Sequence, residues 1–182
     1  MKEGIRVLIL EDLPSDAELN EREVRAVLPE CEFLCVETRA EFLAALESFH
    51  PALILSDYTL PDFDGMTALQ LAQEHLPEVP FILVTGSINE ETAVACMKAG
   101  ATDYVLKDHI KRLGGAVVSG VEQSLVRRQR REAEEALQEK MRELQRFHDL
   151  TVGRELAMIE LKKEVNALLV AAGRAAKYVI VE

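Results

Sequence analysis

The sequence has 182 residues, 48% of them apolar, and a formal net charge of −11, which predicts one complete hydrophobic core plus an additional segment. Residues 1–118 carry 9 Lys and Arg against 21 Asp and Glu, a net charge of −12, which argues against direct binding of nucleic acid. No apolar run approaches the ~18 residues of a membrane span, so we expect no membrane insertion.

The N-terminus and the cysteines indicate a cytoplasmic protein. The first apolar stretch, residues 5–10, is followed at once by acidic residues, which does not fit a signal peptide. Cys31, Cys35 and Cys96 are an odd number without the spacing of a metal site. We interpret them as reduced thiols that lie mostly in or near the core.

Five short apolar runs predict β-strands in the first part of the chain. They lie at residues 5–10, 32–37, 52–56, 80–85 and 102–107. Three of them are nearly continuous in Val, Ile and Leu, as expected for strands that are covered on both faces. Helix-like segments, with apolar residues three and four apart, separate the runs. This alternation predicts an α/β fold with a five-stranded, parallel, doubly wound sheet.

Capping residues predict two of the helix starts. Ser15 and Glu18 have the spacing of a capping box at the first helix. Asn89 is a suitable N-cap for the fourth helix, and Gly100 marks the end of that helix.

The pattern changes after about residue 118. One block of side chains follows the a/d spacing of a coiled coil: Leu137, Met141, Leu144, His148 and Thr151. A second block has the same spacing in a shifted frame: Met158, Leu161, Val165, Leu168 and Ala172. A stutter near Gly153 would join the blocks into one long helix, and the alternative is a helical hairpin broken at residues 151–153.

We favour the long helix and predict two segments beyond the first domain. Residues 119–172 would form a helical coiled-coil linker and dimerisation segment, which would make the protein a homodimer. Residues 173–182 would form a strand-like tail that begins a further, truncated domain.

The predicted strands end in polar residues. Glu11 and Asp12 follow the first strand, Asp57 the third and Lys107 the fifth, while Thr85 closes the fourth. These residues should converge, because the carboxyl ends of parallel strands border one crevice. Clustered carboxylates repel one another unless a cation neutralises them, and Mg²⁺ prefers such oxygen ligands. With an ammonium group and a hydroxyl beside it, this site would suit in-line attack on a phosphoryl group.

Four motifs, in this order and spacing, resemble the receiver domain of two-component response regulators. They are "LEDLPSDAEL", "LILSDYTLPDFDG", "LVTGS" and "AGATDYVLK". The resemblance covers about residues 4–118. It implies a flavodoxin-like receiver domain over 1–118 with the strand order 2-1-3-4-5.

The resemblance also implies the chemistry of the acidic residues. Asp57 is the expected phosphoacceptor, which receives a phosphoryl group from a histidine kinase or a histidine phosphotransfer protein. Glu11, Asp12 and Asp57 are expected to bind Mg²⁺, together with the backbone carbonyl of Thr59.

Further residues match positions that read out the phosphoryl group in this family. Lys107 is expected to pair with the phosphoryl group and Thr85 to contact it. Tyr104 is the expected switch residue, which turns inward as Thr85 moves toward the phosphate. Ser87 and Thr59 occupy positions that tune the lifetime of the acyl phosphate.

Two features depart from the simplest receiver. Asp108 follows Lys107 where family members often have proline, so this loop is either more mobile or held by other contacts. Residues 147–169 resemble the linker helices of multidomain bacterial sensor proteins. His148 precedes an acidic residue, as the phosphoacceptor histidine of a sensor kinase does, but it lies on the a/d seam without an ATP-binding motif. We therefore interpret His148 as a seam residue.

Two classes of function agree with the sequence. In the first, the protein is a phosphorylation-controlled signalling receiver that transmits its state to the helical segment. In the second, it is a constitutive coiled-coil scaffold, or a fragment of a hybrid sensor kinase, whose receiver no longer signals. Self-dephosphorylation is the only enzymatic turnover that we expect.

Overall fold

The structure, a computed structural model, describes residues 4–86 and 89–179 and alternates strands with helices. In chain order the elements are β1 (Ile5–Leu10), α1 (Pro14–Val27), β2 (Cys31–Val36), α2 (Arg39–Ser48), β3 (Leu53–Ser56), α3 (Gly65–His75), β4 (Phe81–Thr85), α4 (Glu90–Lys98), β5 (Asp103–Leu106), a 3₁₀ helix (Lys107–Arg112) and α5 (Leu113–Ala171). The five predicted strands are confirmed, each within one residue of its predicted bounds.

The strands form one parallel sheet in the order β2-β1-β3-β4-β5, which confirms the predicted flavodoxin-like fold. In the sheet, Leu10 at the end of β1 lies opposite Val36 of β2 on one side and Ser56 of β3 on the other. The carboxyl ends of these three strands are therefore level with one another. Residues that directly follow them are placed along one edge of the sheet.

Helices cover both faces of the sheet and create two apolar clusters. Leu8 and Leu10 of β1 pack into the cluster that includes residues of α2, α3 and α4, with Phe42 fully buried. Val7 and Ile9 of the same strand pack into the cluster formed with α1 and the start of α5. This division follows from the period of two in a strand, which sends successive side chains to opposite faces.

The helix starts confirm one predicted cap and correct the other. Asn89 caps α4 by accepting a hydrogen bond from the Thr92 N–H at 2.7 Å, and Gly100 follows this helix with φ of +103°. The predicted capping box of Ser15 and Glu18 is wrong, because α1 begins earlier, at Pro14, without a side-chain cap. Proline suits the first helical position, since its φ is already helical and it has no N–H to satisfy.

The three cysteines are free, and their burial differs from the prediction at one position. Cys96 is buried and Cys31 is half-buried, as predicted, whereas Cys35 is exposed. Cys35 lies on β2, which is one of the two edge strands of the sheet and pairs with β1. Within residues 4–86 and 89–179, no helix combines the length and the apolarity that crossing a membrane requires.

The chain divides into two compact units, Met1–Gln129 and Arg130–Glu182. In the second unit α5 passes through residues 151–153 without a break, so the alternative of a helical hairpin is wrong. After Gly173, the chain returns to Asn166, whose side chain accepts the N–H groups of Lys177 and Tyr178 at 2.9 and 3.0 Å. Residues 180–182 of the predicted tail lie outside the described residues.

Large apolar side chains of the second unit are exposed along α5. They are Leu137, Met141, Leu144, Phe147, Leu150, Leu156, Met158, Leu161, Leu168 and Val170. His148 is exposed as well. These side chains give this part of α5 an extended exposed apolar surface.

Candidate functional site

The sheet itself fixes the residues that follow its central strands. The Asp57 N–H, just beyond β3, donates to the Leu10 carbonyl at 2.9 Å. The Glu11 N–H, just beyond β1, donates to the Val36 carbonyl at 3.1 Å. Both acidic residues therefore continue the hydrogen-bonding ladder, and their backbones are held as firmly as those of the strands.

Three carboxylates meet at this edge. Single oxygen atoms of Glu11, Asp12 and Asp57 all lie within 4.8 Å of one another, as predicted from the strand ends. The Glu11 side chain is 0% exposed and that of Asp57 is 10% exposed. Buried like charges at such distances need compensating positive charge. This set of hard oxygen donors fits Mg²⁺ in both ligand type and spacing.

Lys107 supplies part of that positive charge. Its Nζ donates to Glu11 Oε2 at 2.9 Å, to Asp16 Oδ2 at 2.5 Å and to Asp57 Oδ2 at 2.7 Å. An ammonium group has three N–H donors, and each has a carboxylate acceptor here. The pocket still holds four carboxylates around one lysine, so it remains electrostatically unbalanced.

The pKa shifts in the pocket reflect this imbalance. Burial opposes the charged form of Lys107, but the hydrogen bonds that its ammonium donates to Asp16, Asp57 and Glu11 outweigh this effect and raise its pKa. Burial raises the pKa of Glu11, and the hydrogen bond and charge of Lys107 only partly offset it. Both pKa values are raised, which favours the charged form of Lys107 and the neutral form of Glu11. Lys107 has three anionic partners, whereas fully buried Glu11 shares one lysine and faces Asp57.

The loop after β3 orients the Asp57 carboxylate. Asp57 Oδ1 accepts the backbone N–H groups of Tyr58 at 2.6 Å and Thr59 at 3.2 Å. The loop then returns, and the Gly65 N–H donates to the Tyr58 carbonyl at 2.8 Å. Gly65 lies so close to this loop that a Cβ atom would stand 2.8 Å from Tyr58 Cα and 2.9 Å from the Asp57 carbonyl oxygen. Only glycine fits there without moving the backbone.

The remaining predicted site residues occupy different surroundings. Thr85 is buried at the end of β4, the strand next to β3. Tyr104 of β5 is half-buried and lines a groove of about 640 Å³ with Val94 and Met97 of α4. Thr59 is exposed, and Ser87 lies outside the described residues.

The sequence reasoning missed two residues of the site. Asp16, in the first turn of α1, contacts Lys107. An aspartate is common at this position of a helix, so nothing in the sequence singles it out. The Tyr58 side chain hydrogen-bonds that of Thr92 on α4, while burial raises the pKa of its hydroxyl. Tyr58 therefore joins the Asp57 loop to α4, a contact that no local pattern indicates.

Comparison with known proteins agrees with this geometry. The chain is 36% identical over 73 residues to the regulatory protein AtoC of Escherichia coli (strain K12), which covers 40% of this chain and 16% of AtoC. It is 37% identical over 67 residues to the DNA-binding transcriptional regulator NtrC of Proteus hauseri, covering 37% of this chain and 14% of NtrC. The chain therefore matches less than a fifth of the length of these two relatives.

The fold and the family lead to the same assignment. The crystal structure of a response regulator receiver domain protein (CheY-like) from Methanospirillum hungatei JF-1 superposes with a TM-score of 0.62 at 26% identity. This match covers 68% of the present chain and 98% of that one. Residues 7–117, more than half of the chain, match the response regulator receiver domain. The chain belongs to the family of response regulator receiver domains, the phosphoacceptor modules of two-component signalling.

Proposed function

We propose that residues 1–118 are a phosphorylation-controlled receiver in which Asp57 accepts a phosphoryl group from a histidine kinase or a histidine phosphotransfer protein. The observation that carries this proposal is the contact of Asp57 Oδ2 with Lys107 Nζ at 2.7 Å beside the carboxylates of Glu11 and Asp12. A carboxylate that merely ended a strand would need neither partner. The net charge of −12 over residues 1–118 supports a protein rather than a nucleic acid as the direct partner of this domain.

The proposed reaction is a direct transfer. A carboxylate oxygen of Asp57 forms a bond to phosphorus while the bond from phosphorus to the donor's histidine nitrogen breaks, and that nitrogen keeps the electron pair. The N–H groups of Tyr58 and Thr59 hold the carboxylate in a fixed orientation for this attack. Water attack on the resulting acyl phosphate returns Asp57 to its free form and is the only turnover that we propose.

The carboxylates of Glu11, Asp12 and Asp57 would hold Mg²⁺, with the backbone carbonyl of Thr59 as a further ligand. Their spacing within 4.8 Å supports this assignment. Bound Mg²⁺ would supply positive charge to offset the repulsion between these carboxylates and an incoming phosphoryl group. Lys107 would pair with a phosphoryl oxygen, and the contact of its ammonium with Asp57 Oδ2 at 2.7 Å supports this role.

Thr85 and Tyr104 would read out the phosphoryl group. The Thr85 hydroxyl, buried at the end of β4, would donate to a phosphoryl oxygen. Tyr104 would turn inward as Thr85 moves, which would alter the groove that it forms with Val94 and Met97. The position of Tyr104 in the groove beside α4 supports this proposal, because a change in its orientation would change the shape of that groove.

Intact-mass spectrometry after incubation with acetyl phosphate and Mg²⁺ tests the role of Asp57. The wild-type chain is expected to gain one phosphoryl group, about 80 Da. Asp57→Asn is expected to gain none, while Asp62→Asn, which changes an exposed carboxylate of the same loop, should react like the wild type. Equal labelling of Asp57→Asn and wild type, or no labelling of any folded variant, would contradict the proposal.

For the helical segment over 119–172 we propose a coiled-coil dimer of two copies of this chain. The exposed apolar side chains of α5 at a/d spacing, such as Leu144 and Leu161, support self-association. The near-neutral charge of residues 119–182, 12 Lys and Arg against 11 Asp and Glu, would not oppose it. Phosphorylation of Asp57 would then alter how the paired helices continue from the receiver domain.

The mass of the chain in solution, measured by light scattering, tests the dimer. The wild type is expected at twice 20.3 kDa. A variant with Leu144→Glu and Leu161→Glu should be monomeric, because charges in an apolar seam are unfavourable. The control with Glu143→Gln and Glu160→Gln, which changes residues beside the seam, should remain dimeric. Beryllofluoride with Mg²⁺ mimics the phosphoryl group on Asp57. If adding it changes neither the mass in solution nor the mobility of the helix, the constitutive scaffold would be favoured over control by phosphorylation.

A further inference from the structure

Asp16 differs from the other two carboxylates that contact Lys107. It lies on α1, whereas Glu11 and Asp57 directly follow strands of the sheet. Its contact with Lys107 Nζ is 2.5 Å, the shortest of the three. Asp16 is also outside the group of Glu11, Asp12 and Asp57 whose oxygens lie close enough together to share a metal ion.

This difference matters because the proposed reaction changes the other two contacts. Asp57 loses a carboxylate charge when one of its oxygens bonds to phosphorus. Glu11 belongs to the set of oxygens that would hold Mg²⁺. Asp16 has neither task, so its carboxylate remains available to Lys107 before and after the transfer. An ammonium on a flexible four-carbon chain needs such a fixed partner if it is to stay in one place.

The backbone of α1 gives Asp16 a fixed position. The Asp16 N–H donates to the Leu13 carbonyl at 3.0 Å, and the next residue, Ala17, is buried against the sheet. The side chains of Asp16 and Lys107 are 27% and 17% exposed, so solvent reaches their contact only in part. A charge-assisted hydrogen bond is strengthened by such surroundings.

We propose that Asp16 is a positioning residue for the phosphorylation reaction. It holds the Lys107 ammonium at the pocket while Asp57 and Glu11 change partners, so that the two remaining N–H donors of Lys107 face the phosphoryl oxygens. The proposal rests on the proposed function of Asp57 for its role in the reaction. The contact of Asp16 with Lys107 can be tested without any phosphodonor.

The first experiment observes the ammonium group of Lys107 directly. In ¹⁵N-resolved NMR of the full chain, hydrogen-bonded lysine ammonium protons exchange slowly enough to be seen, and Lys107→Arg identifies the signal. The signal is expected in the wild type and in the control Glu18→Gln, which changes an exposed carboxylate of the same helix. It should be broadened by exchange in Asp16→Ala and retained in part in Asp16→Asn, which keeps an acceptor oxygen.

The second experiment follows the rate of phosphorylation by acetyl phosphate with Mg²⁺. Asp16→Ala is expected to lower the rate at saturating acetyl phosphate about tenfold, the effect of losing one charge-assisted hydrogen bond. Asp16→Asn should fall between Asp16→Ala and the wild type, and Glu18→Gln should match the wild type. Alanine is the best helix former, so α1 is expected to stay folded.

The outcomes separate this proposal from the one it rests on. A Lys107 signal and a phosphorylation rate that are unchanged in Asp16→Ala would overturn the positioning role. A wild-type chain that takes up no phosphoryl group would overturn the proposed function, and loss of the Lys107 signal in Asp16→Ala would then still support the contact itself.

Discussion

A Gly65→Ala variant is expected to lower the free energy of unfolding by about 3 kcal/mol, at the upper end of the cost of overpacking a buried site. The added Cβ would lie 2.8 Å from Leu83 Cδ2, 2.8 Å from Tyr58 Cα and 2.9 Å from the Asp57 carbonyl oxygen. Two of these neighbours are backbone atoms, which cannot rotate away as the end of a side chain can. The expected cost is therefore steric, and it falls on the loop that carries Asp57.

Urea unfolding of the wild type and of two glycine variants measures this effect. Gly115→Ala is the control, because a Cβ at Gly115, in the first turn of α5, meets no atom within 4 Å. That variant should keep or slightly raise the stability, since alanine favours a helix over glycine by up to about 1 kcal/mol. Phosphorylation should also be slowed in Gly65→Ala alone. Equal urea midpoints for Gly65→Ala and Gly115→Ala would contradict this prediction, because they would show that the loop can move to accommodate the added methyl group.

A Lys107→Met variant is expected to lose about 3 kcal/mol of stability at pH 7 in the absence of Mg²⁺. The substitution leaves the carboxylates of Glu11, Asp16 and Asp57 without the cation that each contacts. Removing one partner of a buried ion pair costs roughly 3–5 kcal/mol, and the 17% exposure of the Lys107 side chain favours the lower value. This loss of stability should be several-fold larger than the loss on replacing an exposed lysine with methionine.

Thermal unfolding with and without Mg²⁺ measures this loss. Mg²⁺ should raise the Tm of Lys107→Met more than that of the wild type, because the ion then supplies positive charge that Lys107 supplies in the wild type. The control is Lys111→Met, which removes an exposed lysine of the same 3₁₀ helix and should leave both the Tm and its Mg²⁺ response unchanged. Identical behaviour of the two variants would contradict the electrostatic role of Lys107.

The sequence predicted the part of the site that the sheet dictates. Strand runs ending in Glu11, Asp57 and Lys107 were sufficient, because a parallel sheet aligns its strand ends and so gathers residues that are distant in the chain. The contact between Lys107 and the carboxylates confirms that convergence. The predicted strands are confirmed because the apolar runs are long enough to be recognised one by one. The strand order, which the resemblance to receiver domains implied, is confirmed as well.

The rest depended on tertiary contacts that carry no local pattern. The helix dipole is enough to explain an aspartate in the first turn of a helix, such as Asp16. The sequence therefore gives no reason to expect its contact with Lys107. The capping box at Ser15 failed because the helix begins at Pro14, two residues before the first helical position that a cap at Ser15 would give. Cys35 proved exposed because β2 is an edge strand, which follows from strand order and not from composition.

The distance along the chain between the residues of the pocket sets the order in which the pocket forms during synthesis. Lys107 is separated from Glu11 by 96 residues, from Asp16 by 91 and from Asp57 by 50. At about 5–20 residues per second, roughly 5–20 s pass between the synthesis of Glu11 and that of its lysine partner. Throughout this interval the nascent chain carries the acidic residues of the pocket without Lys107. Lys107 directly follows β5, so the lysine partner of these carboxylates is added only after all five strands of the sheet have been synthesised.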